Sequence, residues 1–273
     1  MTGAIMMGEK MDWDDAYDNM AYIAHATGYP ASWQKRSAIF RQNWPLQKLD
    51  ISYGETLREK LDLFLPNDTI KGLVVFVHGG YWMRFDKSYW SCFAQGALRL
   101  GYGVVMPSYS LTPNQRIYQI TQQIGKSITH IANEIDAPIM LAGHSAGGHL
   151  VTRMLCDDSP LDKDIIMRIT HIFSISGLHD LHPLMQTSMN TTLRLDEKEA
   201  RQESPALHKP IADISVTAWV GGQERPEFIR QARILQSAWR NCQIIIEQEQ
   251  HHFLVLEGLC NPQSRMMQRL MSH

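Results

Sequence analysis

No run of eighteen apolar residues occurs in the chain, so the sequence offers no membrane-spanning helix. Neither sign of charge prevails. Against 26 Lys and Arg stand 28 Asp and Glu, for a net charge of −2, and the basic residues are scattered. That balance gives no field to recruit nucleic acid or anionic lipid, and neither is expected as a partner. Only 4 cysteines are present, far apart and without a CxxC pair. Their spacing excludes a disulfide scaffold and a cysteine-based zinc site. The apolar start, Met1-Thr2-Gly3-Ala4-Ile5-Met6-Met7, gives way at once to Gly8-Glu9-Lys10 and is too short for a secretory signal. A cytoplasmic location with reduced thiols is therefore expected, with Met6, Met7 and Met11 as alternative starts. No GxGxxG or GxxxxGK[ST] loop, internal repeat or low-complexity tract is found, and no cofactor is expected.

What is present reads as a globular chain. Hydrophobic residues make up 44% and charged residues 20% of 273 positions, enough to bury one sizeable core. Residues 1–48 read as a helical segment. Asp12 is a candidate cap for a helix over 12–25, Gly28-Tyr29-Pro30 a break, and 31–42 a second helix. The segments 49–53 and 61–65 alternate apolar and polar residues, as half-buried antiparallel strands do. Residues 72–78 form a continuous apolar run rich in β-branched side chains, the mark of a strand covered on both faces. Beyond it, buried strands are expected at 103–107, 138–142, 169–175, 214–220 and 243–247. Helices are expected at 88–100, from Pro113, at 146–156, 226–239 and 253–270. Ile117, Ile120, Ile124, Ile128 and Ile131 recur at three and four residues, one helical face lying on a sheet. Such alternation predicts a mostly parallel sheet with helices on both faces, in a single domain spanning 1–273. The polar, irregular stretch 177–210 interrupts the rhythm and reads as a lid or cap insertion.

Gly143-His144-Ser145-Ala146-Gly147 is the chain's one GxSxG. A match of that kind arises by chance in roughly one chain in ten of this length, so its setting carries the argument. A buried strand runs into it and a helix leaves it. A nucleophile elbow needs that arrangement: the glycines permit a tight turn and the serine is lifted into the crevice. The second motif is His78-Gly79-Gly80-Tyr81-Trp82, at the end of the first buried strand. Acyl transfer builds negative charge on a carbonyl oxygen, and preorganised N–H donors lower that barrier. The candidate donors are the N–H groups of Ala146, Gly80 and Tyr81.

A serine nucleophile needs a base, and the base an orienting acid. With this type of elbow the order along the chain is serine, acid, histidine. His252 lies between the last strand and the last helix and is the preferred base, with its neighbour His251 as rival. Glu224 follows the preceding strand and is the candidate acid. Asp180, after the strand before that, is the runner-up. Glu227 reads as a first-turn helix acid favoured by the dipole.

Together these motifs resemble the α/β-hydrolase superfamily, and within it the kynurenine formamidase (arylformamidase) branch and its bacterial esterase relatives. The resemblance covers roughly residues 60–270. It rests on His78-Gly79-Gly80-Tyr81-Trp82, on Gly143-His144-Ser145-Ala146-Gly147-Gly148-His149-Leu150, and on Ser176-Gly177-Leu178-His179-Asp180-Leu181-His182-Pro183-Leu184 with Ser204-Pro205 downstream. Glu224-Arg225-Pro226-Glu227-Phe228 and His252-Phe253 complete it. The resemblance implies Ser145 as nucleophile, Glu224 as acid and His252 as base. It departs from the branch at Glu224, where aspartate is usual and the contact to histidine must be re-spaced by a methylene. The N-terminal residues Trp13, Tyr17, Tyr22, Trp33 and Trp44 also lack a clear counterpart.

Trp82 and His144 are candidates to line a substrate pocket, although Tyr81 and Trp82 read equally well as core contacts. His144, His149 and the His179–His182 pair have no third ligand at helpful spacing, so no metal is expected. Three functions compete: an arylformamidase acting on an N-formylkynurenine-type substrate, a carboxylesterase for small esters, and a catalytically silent receptor on the same fold. All three take a small molecule, an ester or amide for the two enzymes. A homodimer is compatible with the sequence, but no residue pattern argues for it.

Overall fold

The computed structural model describes residues 11–272. The expectations about Met1 to Met7 lie outside the described residues. Eight strands form one sheet: β1 (Gln47–Ser52), β2 (Lys60–Phe64), β3 (Leu73–Val77), β4 (Gly103–Pro107), β5 (Ile139–His144), β6 (Ile169–Ile175), β7 (Ser215–Gly221) and β8 (Cys242–Glu247). Their order is β1-β2-β4-β3-β5-β6-β7-β8. β1 is antiparallel to β2, and β2 to β4; all the other neighbouring pairs are parallel. The apolar runs of β3, β4 and β5 are buried throughout, because helices cover both faces of the sheet.

The helices are α1 (Trp13–Tyr17), α2 (Gly28–Asn43), α3 (Gln95–Arg99), α4 (Ile117–Glu134), α5 (Ala146–Arg153), α6 (Lys163–Ile166), α7 (Asn190–Leu193), α8 (Glu197–Gln202), α9 (Pro226–Ala238) and α10 (Arg265–Met271). The five isoleucines of α4 are all buried and belong to the larger of two apolar cores, together with side chains of β3 and β5. The second core packs Phe76, Phe173 and Trp219 with Trp33, Trp90 and Phe93. All four cysteines are free thiols, and no helix of the described residues is long and apolar enough to cross a membrane.

Five expected helices are drawn differently. The first keeps only Trp13–Tyr17 and a 3-10 turn at Met20–Tyr22, because Asp12 caps a single turn and the chain bends back at His25, whose φ is 56°. Gly28-Tyr29-Pro30 begins α2 rather than breaking a helix; proline is tolerated in a first turn, where its missing N–H costs nothing. Residues 88–94 form 3-10 turns before α3. The closing stretch divides into a 3-10 helix, Leu254–Cys260, and α10. The helix expected from Pro113 starts at Ile117, where the Gln119 side chain accepts the Arg116 N–H at 2.9 Å.

Candidate active site

β5 ends at His144 and α5 begins at Ala146, which leaves Ser145 alone on the corner at φ 55° and ψ −118°. A non-glycine residue pays on the order of 1–3 kcal/mol for such a backbone. The surroundings hold it there: Ser145 N–H donates to the Ile175 carbonyl of β6 at 2.8 Å. The flanking glycines are steric necessities. A Cβ on Gly147 would overlap the Val77 carbonyl oxygen, and one on Gly143 the Gly147 carbonyl. Ala146 N–H opens α5 and is one of the helix donors without an intrahelical acceptor.

The loop after β3 meets this corner directly; a Cβ on Gly79 would stand 3.0 Å from Ser145 Cβ. Gly80, Tyr81 and Trp82 follow with φ of 113°, 51° and 56°, a tight left-handed run that turns the backbone beside the elbow. His78 braces the loop from behind. Its Nδ1 lies 2.8 Å from the Gly79 carbonyl, and its ring stacks on Tyr109 at 4.3 Å. Burial pushes its pKa down to about 4, so it stays neutral.

From the far side of the sheet, β7 and β8 deliver Glu224 and His252. The two meet at 2.6 Å, His252 Nδ1 to Glu224 Oε2. Glu224 Oε1 accepts from Ser176 Oγ at 2.5 Å and from Gly221 N–H at 2.7 Å, which fixes the carboxylate. The added methylene of glutamate is thus accommodated. The rivals go elsewhere: Asp180 bonds His182 Nδ1 at 2.8 Å. His251 Nε2 meets Tyr29 Oη at 3.2 Å, and its Nδ1 accepts the N–H groups of Phe253 and Leu254.

Ser145 and His252 line one cavity of about 420 Å³, together with Gly80, Tyr81 and His144. A hydrogen bond from Ser145 Oγ to His252 is absent among the described residues; such contacts are often long in unliganded enzymes and tighten with substrate. His144 Nε2 donates to the His252 carbonyl at 2.9 Å, which places the proton on Nε2. Burial and the neighbouring His252 hold the His144 pKa well below the usual histidine range.

Trp82 corrects the expectation of a pocket residue. It is fully buried, edge-on to His149 at 5.1 Å, and does not line the cavity. Its φ of 56° follows the loop turn and sends the side chain into the core. Of 177–210, only Ser188 and Met189 reach the cavity. Its remaining wall comes largely from a segment that sequence reasoning left without a role: Asp14, Tyr17, Asp18, Asn19, Met20 and Trp33. Asp14 accepts Ser188 N–H and Oγ–H at 2.7 and 2.9 Å, joining the two pieces. Tyr17 Oη donates to Glu227 on α9 at 2.8 Å, and Arg225 lies over the Tyr22 ring at 3.7 Å. The missed signal was aromatic density: seven rings between Trp13 and Trp44 need a surface to pack on.

The two histidines of the His179–His182 pair bond different partners. His179 Nε2 meets Ser174 Oγ at 3.1 Å, whereas His182 pairs with Asp180 and Glu197. Cys156, Asp158 and His208 bring ligand atoms within 4.8 Å of one another, but Arg153 already holds both Asp158 oxygens, at 2.7 and 2.9 Å.

A family model described as the alpha/beta hydrolase fold matches residues 74–252. The chain belongs to the α/β-hydrolase fold family. Kynurenine formamidase of Danio rerio is 30% identical over 224 residues, covering 77% of this chain and 76% of that protein. Kynurenine formamidase of Salmo salar is 27% identical over 237 residues, 82% of this chain and 80% of that one. A crystal structure of a candidate thioesterase from Silicibacter sp. TM1040 superposes with a TM-score of 0.93 at 49% identity, over 96% of this chain and all of that one. This α/β-hydrolase therefore falls in the kynurenine formamidase-like and esterase branch, and it is a hydrolase.

Proposed function

We propose that the chain is a serine hydrolase that cleaves a small amide or ester through an acyl-enzyme, with an N-formyl aryl amine as its substrate. The observation that carries the mechanism is the 2.6 Å contact between His252 Nδ1 and Glu224, with Ser145 on the strained corner of the same cavity. Glu224 accepts a hydrogen bond from His252 Nδ1–H, which leaves Nε2 as the base. Ser145 Oγ attacks the carbonyl carbon and passes its proton to His252. The carbonyl π pair moves to oxygen, where the N–H groups of Ala146, Gly80 and Tyr81 receive the charge. Collapse expels the amine or alcohol, which takes the proton from His252. Water, deprotonated by His252, then attacks the acyl-enzyme, and Ser145 leaves with that proton. Release of the acid, formic acid for a formamide, completes the cycle.

The formamide reading is supported by two curated relatives, the kynurenine formamidases of Danio rerio and Salmo salar, over more than three-quarters of their length. An aromatic wall of Trp33, Phe85, Trp90 and Phe253 suits a flat ring. A carboxylesterase is the second reading, favoured by the 49% identical candidate thioesterase. Hydrolysis of N-formylkynurenine beside p-nitrophenyl acetate, p-nitrophenyl butyrate and an acyl thioester separates them. Strong preference for the formamide, lost in Ser145→Ala, is expected. Turnover of esters or thioesters alone gives the second reading. No turnover of any substrate, with no fluorophosphonate labelling, identifies a silent receptor.

A further inference from the structure

The loop after β3, with the proposed oxyanion donors Gly80 and Tyr81, is held by a residue far away in the sequence. Gly80, Tyr81 and Trp82 turn through φ values of 113°, 51° and 56°. Consecutive non-glycine residues in the left-handed region are strained, and they persist only where their surroundings fix them. Trp82 pins one side of the turn: its ring lies in the core, and its carbonyl accepts the Thr112 N–H at 2.9 Å. Tyr81 pins the other side, because its hydroxyl donates to the Tyr17 carbonyl at 2.7 Å. The N–H groups of Gly80 and Tyr81 themselves have no acceptor among the described residues. Burial, with Asp18, Glu224 and Glu227 nearby, pushes the Tyr81 pKa up, so the phenol keeps the proton it donates.

Tyr17 is tied down in turn. It is 2% exposed and ends α1, where a carbonyl has no intrahelical donor. Its hydroxyl donates to Glu227 on α9 at 2.8 Å and accepts from Gln231 Nε2 at 3.0 Å. Its ring meets Phe228 edge-on at 6.0 Å, and Phe228 packs on the His252 ring at 4.7 Å. A continuous path of contacts therefore joins the loop after β3 to His252 by way of the N-terminal segment.

We propose that Tyr17 is a positioning residue, which holds the oxyanion donors in register with His252. The inference rests on the serine-hydrolase reading of this cavity and extends it, since the segment that walls the cavity also sets the groups that stabilise charge. Tyr17 touches no reacting atom and acts through Tyr81. Without that contact the turn loses one of its two pins. An N–H displaced by about 1 Å fails the tetrahedral oxyanion while the cavity still admits the planar substrate. The signature is a loss in kcat with KM spared.

Two variants test it. Tyr81→Phe removes the hydroxyl and keeps the ring. Tyr17→Phe keeps the accepting carbonyl but cuts the bonds to Glu227 and Gln231. Each is assayed on p-nitrophenyl butyrate and titrated with phenylboronic acid, which adds to a nucleophilic serine as a tetrahedral anion. Tyr81→Phe is expected to lower kcat about tenfold with KM within about twofold, and to weaken phenylboronic acid by a similar factor. Tyr17→Phe should lower kcat and inhibitor affinity together, by about threefold. The double variant should lose no more than Tyr81→Phe alone, because Tyr17 acts through that hydroxyl. A wild-type kcat in Tyr81→Phe, a raised KM with kcat intact, or a loss of kcat that spares phenylboronic acid would overturn the proposal. Additive losses in the double variant would do the same. Should Tyr81→Phe fail to fold, Tyr17→Phe carries both readouts and decides alone. Absence of all turnover, with no fluorophosphonate labelling in wild type, would instead remove the hydrolase reading beneath it.

Discussion

His144 donates its Nε2–H to the main-chain carbonyl of His252 at 2.9 Å, while the two rings lie 4.5 Å apart. The residue before the elbow serine thus holds the backbone of the histidine that faces it. A neutral His144 can do this without repelling the imidazolium that the proposed mechanism forms on His252, and its lowered pKa keeps it neutral. His144→Phe should retain the fold and lower kcat by about tenfold to a hundredfold, with KM little changed, because a small displacement of a base weakens proton transfer. Stopped-flow or steady-state kinetics would decide; a wild-type kcat would refute the role.

Ser145→Ala should lower kcat by at least about 10³-fold and abolish covalent labelling by a fluorophosphonate. Circular dichroism and the melting temperature should remain close to wild type or rise slightly, since alanine removes little from the cavity wall. Labelling that persists in the variant would place the nucleophile elsewhere.

Glu224→Gln keeps the shape of the side chain but presents an amide to His252 Nδ1. Loss of the fixed tautomer should lower kcat by up to about 10⁴-fold. Glu224→Asp keeps the charge but falls short by a methylene. A milder loss is expected there, because Ser176 and Gly221 hold the carboxylate where it now stands. Equal activities in the two variants would show that neither charge nor reach matters.

Four buried histidines make stability pH-dependent. His78 is pushed down to about 4 and His179 to about 3, and burial also lowers His144 and His149. In the unfolded chain each takes a proton near its usual 6.5. Between that value and the folded pKa the unfolded state binds more protons, so stability falls as pH falls. The contribution is fully present above about pH 6.5 and is lost progressively towards pH 4. One histidine gives a slope of at most about 1.4 kcal/mol per pH unit. Urea midpoints at pH 7.5, 6 and 5 should therefore decline steeply, and a flat profile would contradict the neutral histidines.

Asp14→Ala removes both acceptor contacts to Ser188 and frees the two cavity-wall pieces from one another. Asp14 is exposed, so the loss of stability should stay within about 1 kcal/mol. KM should rise a few-fold while kcat holds, and KM values unchanged for substrates of every size would show that the wall does not depend on the contact.

The central sheet was legible because its signals are local and strong. The runs at 72–78 and 103–107 admit no other element, and the isoleucines of α4 repeat at the helical period over four turns. The serine corner was legible because GxSxG is sterically constrained: only glycines fit against the Val77 and Gly147 carbonyls. Glu224 and His252 could be picked out by their places after strands, and the structure sets them 2.6 Å apart. Trp82 was not legible, because a run of positive φ decides which neighbour, Tyr81 or Trp82, turns inward. The N-terminal wall was hidden for another reason. α2 buries only Trp33, Ser37 and Phe40, and its partners are distant in sequence: Arg36 to Glu257, and Tyr29 to His251 across 222 positions.

That separation bears on the order in which the protein is made. Tyr17, Tyr29 and Arg36 leave the ribosome long before Glu227, His251 and Glu257, the residues they hold. Until the last of these emerges, Tyr17, Tyr29 and Arg36 lack these partners, although Trp33 can already pack on Trp90 and Phe93. A nascent chain that has passed Ser145 but not His252 therefore carries the elbow without its proposed base and without the cavity wall that His252 and Phe253 complete. On the proposed mechanism, a ribosome-stalled or prematurely terminated product that stops short of His252 would be inert rather than promiscuous.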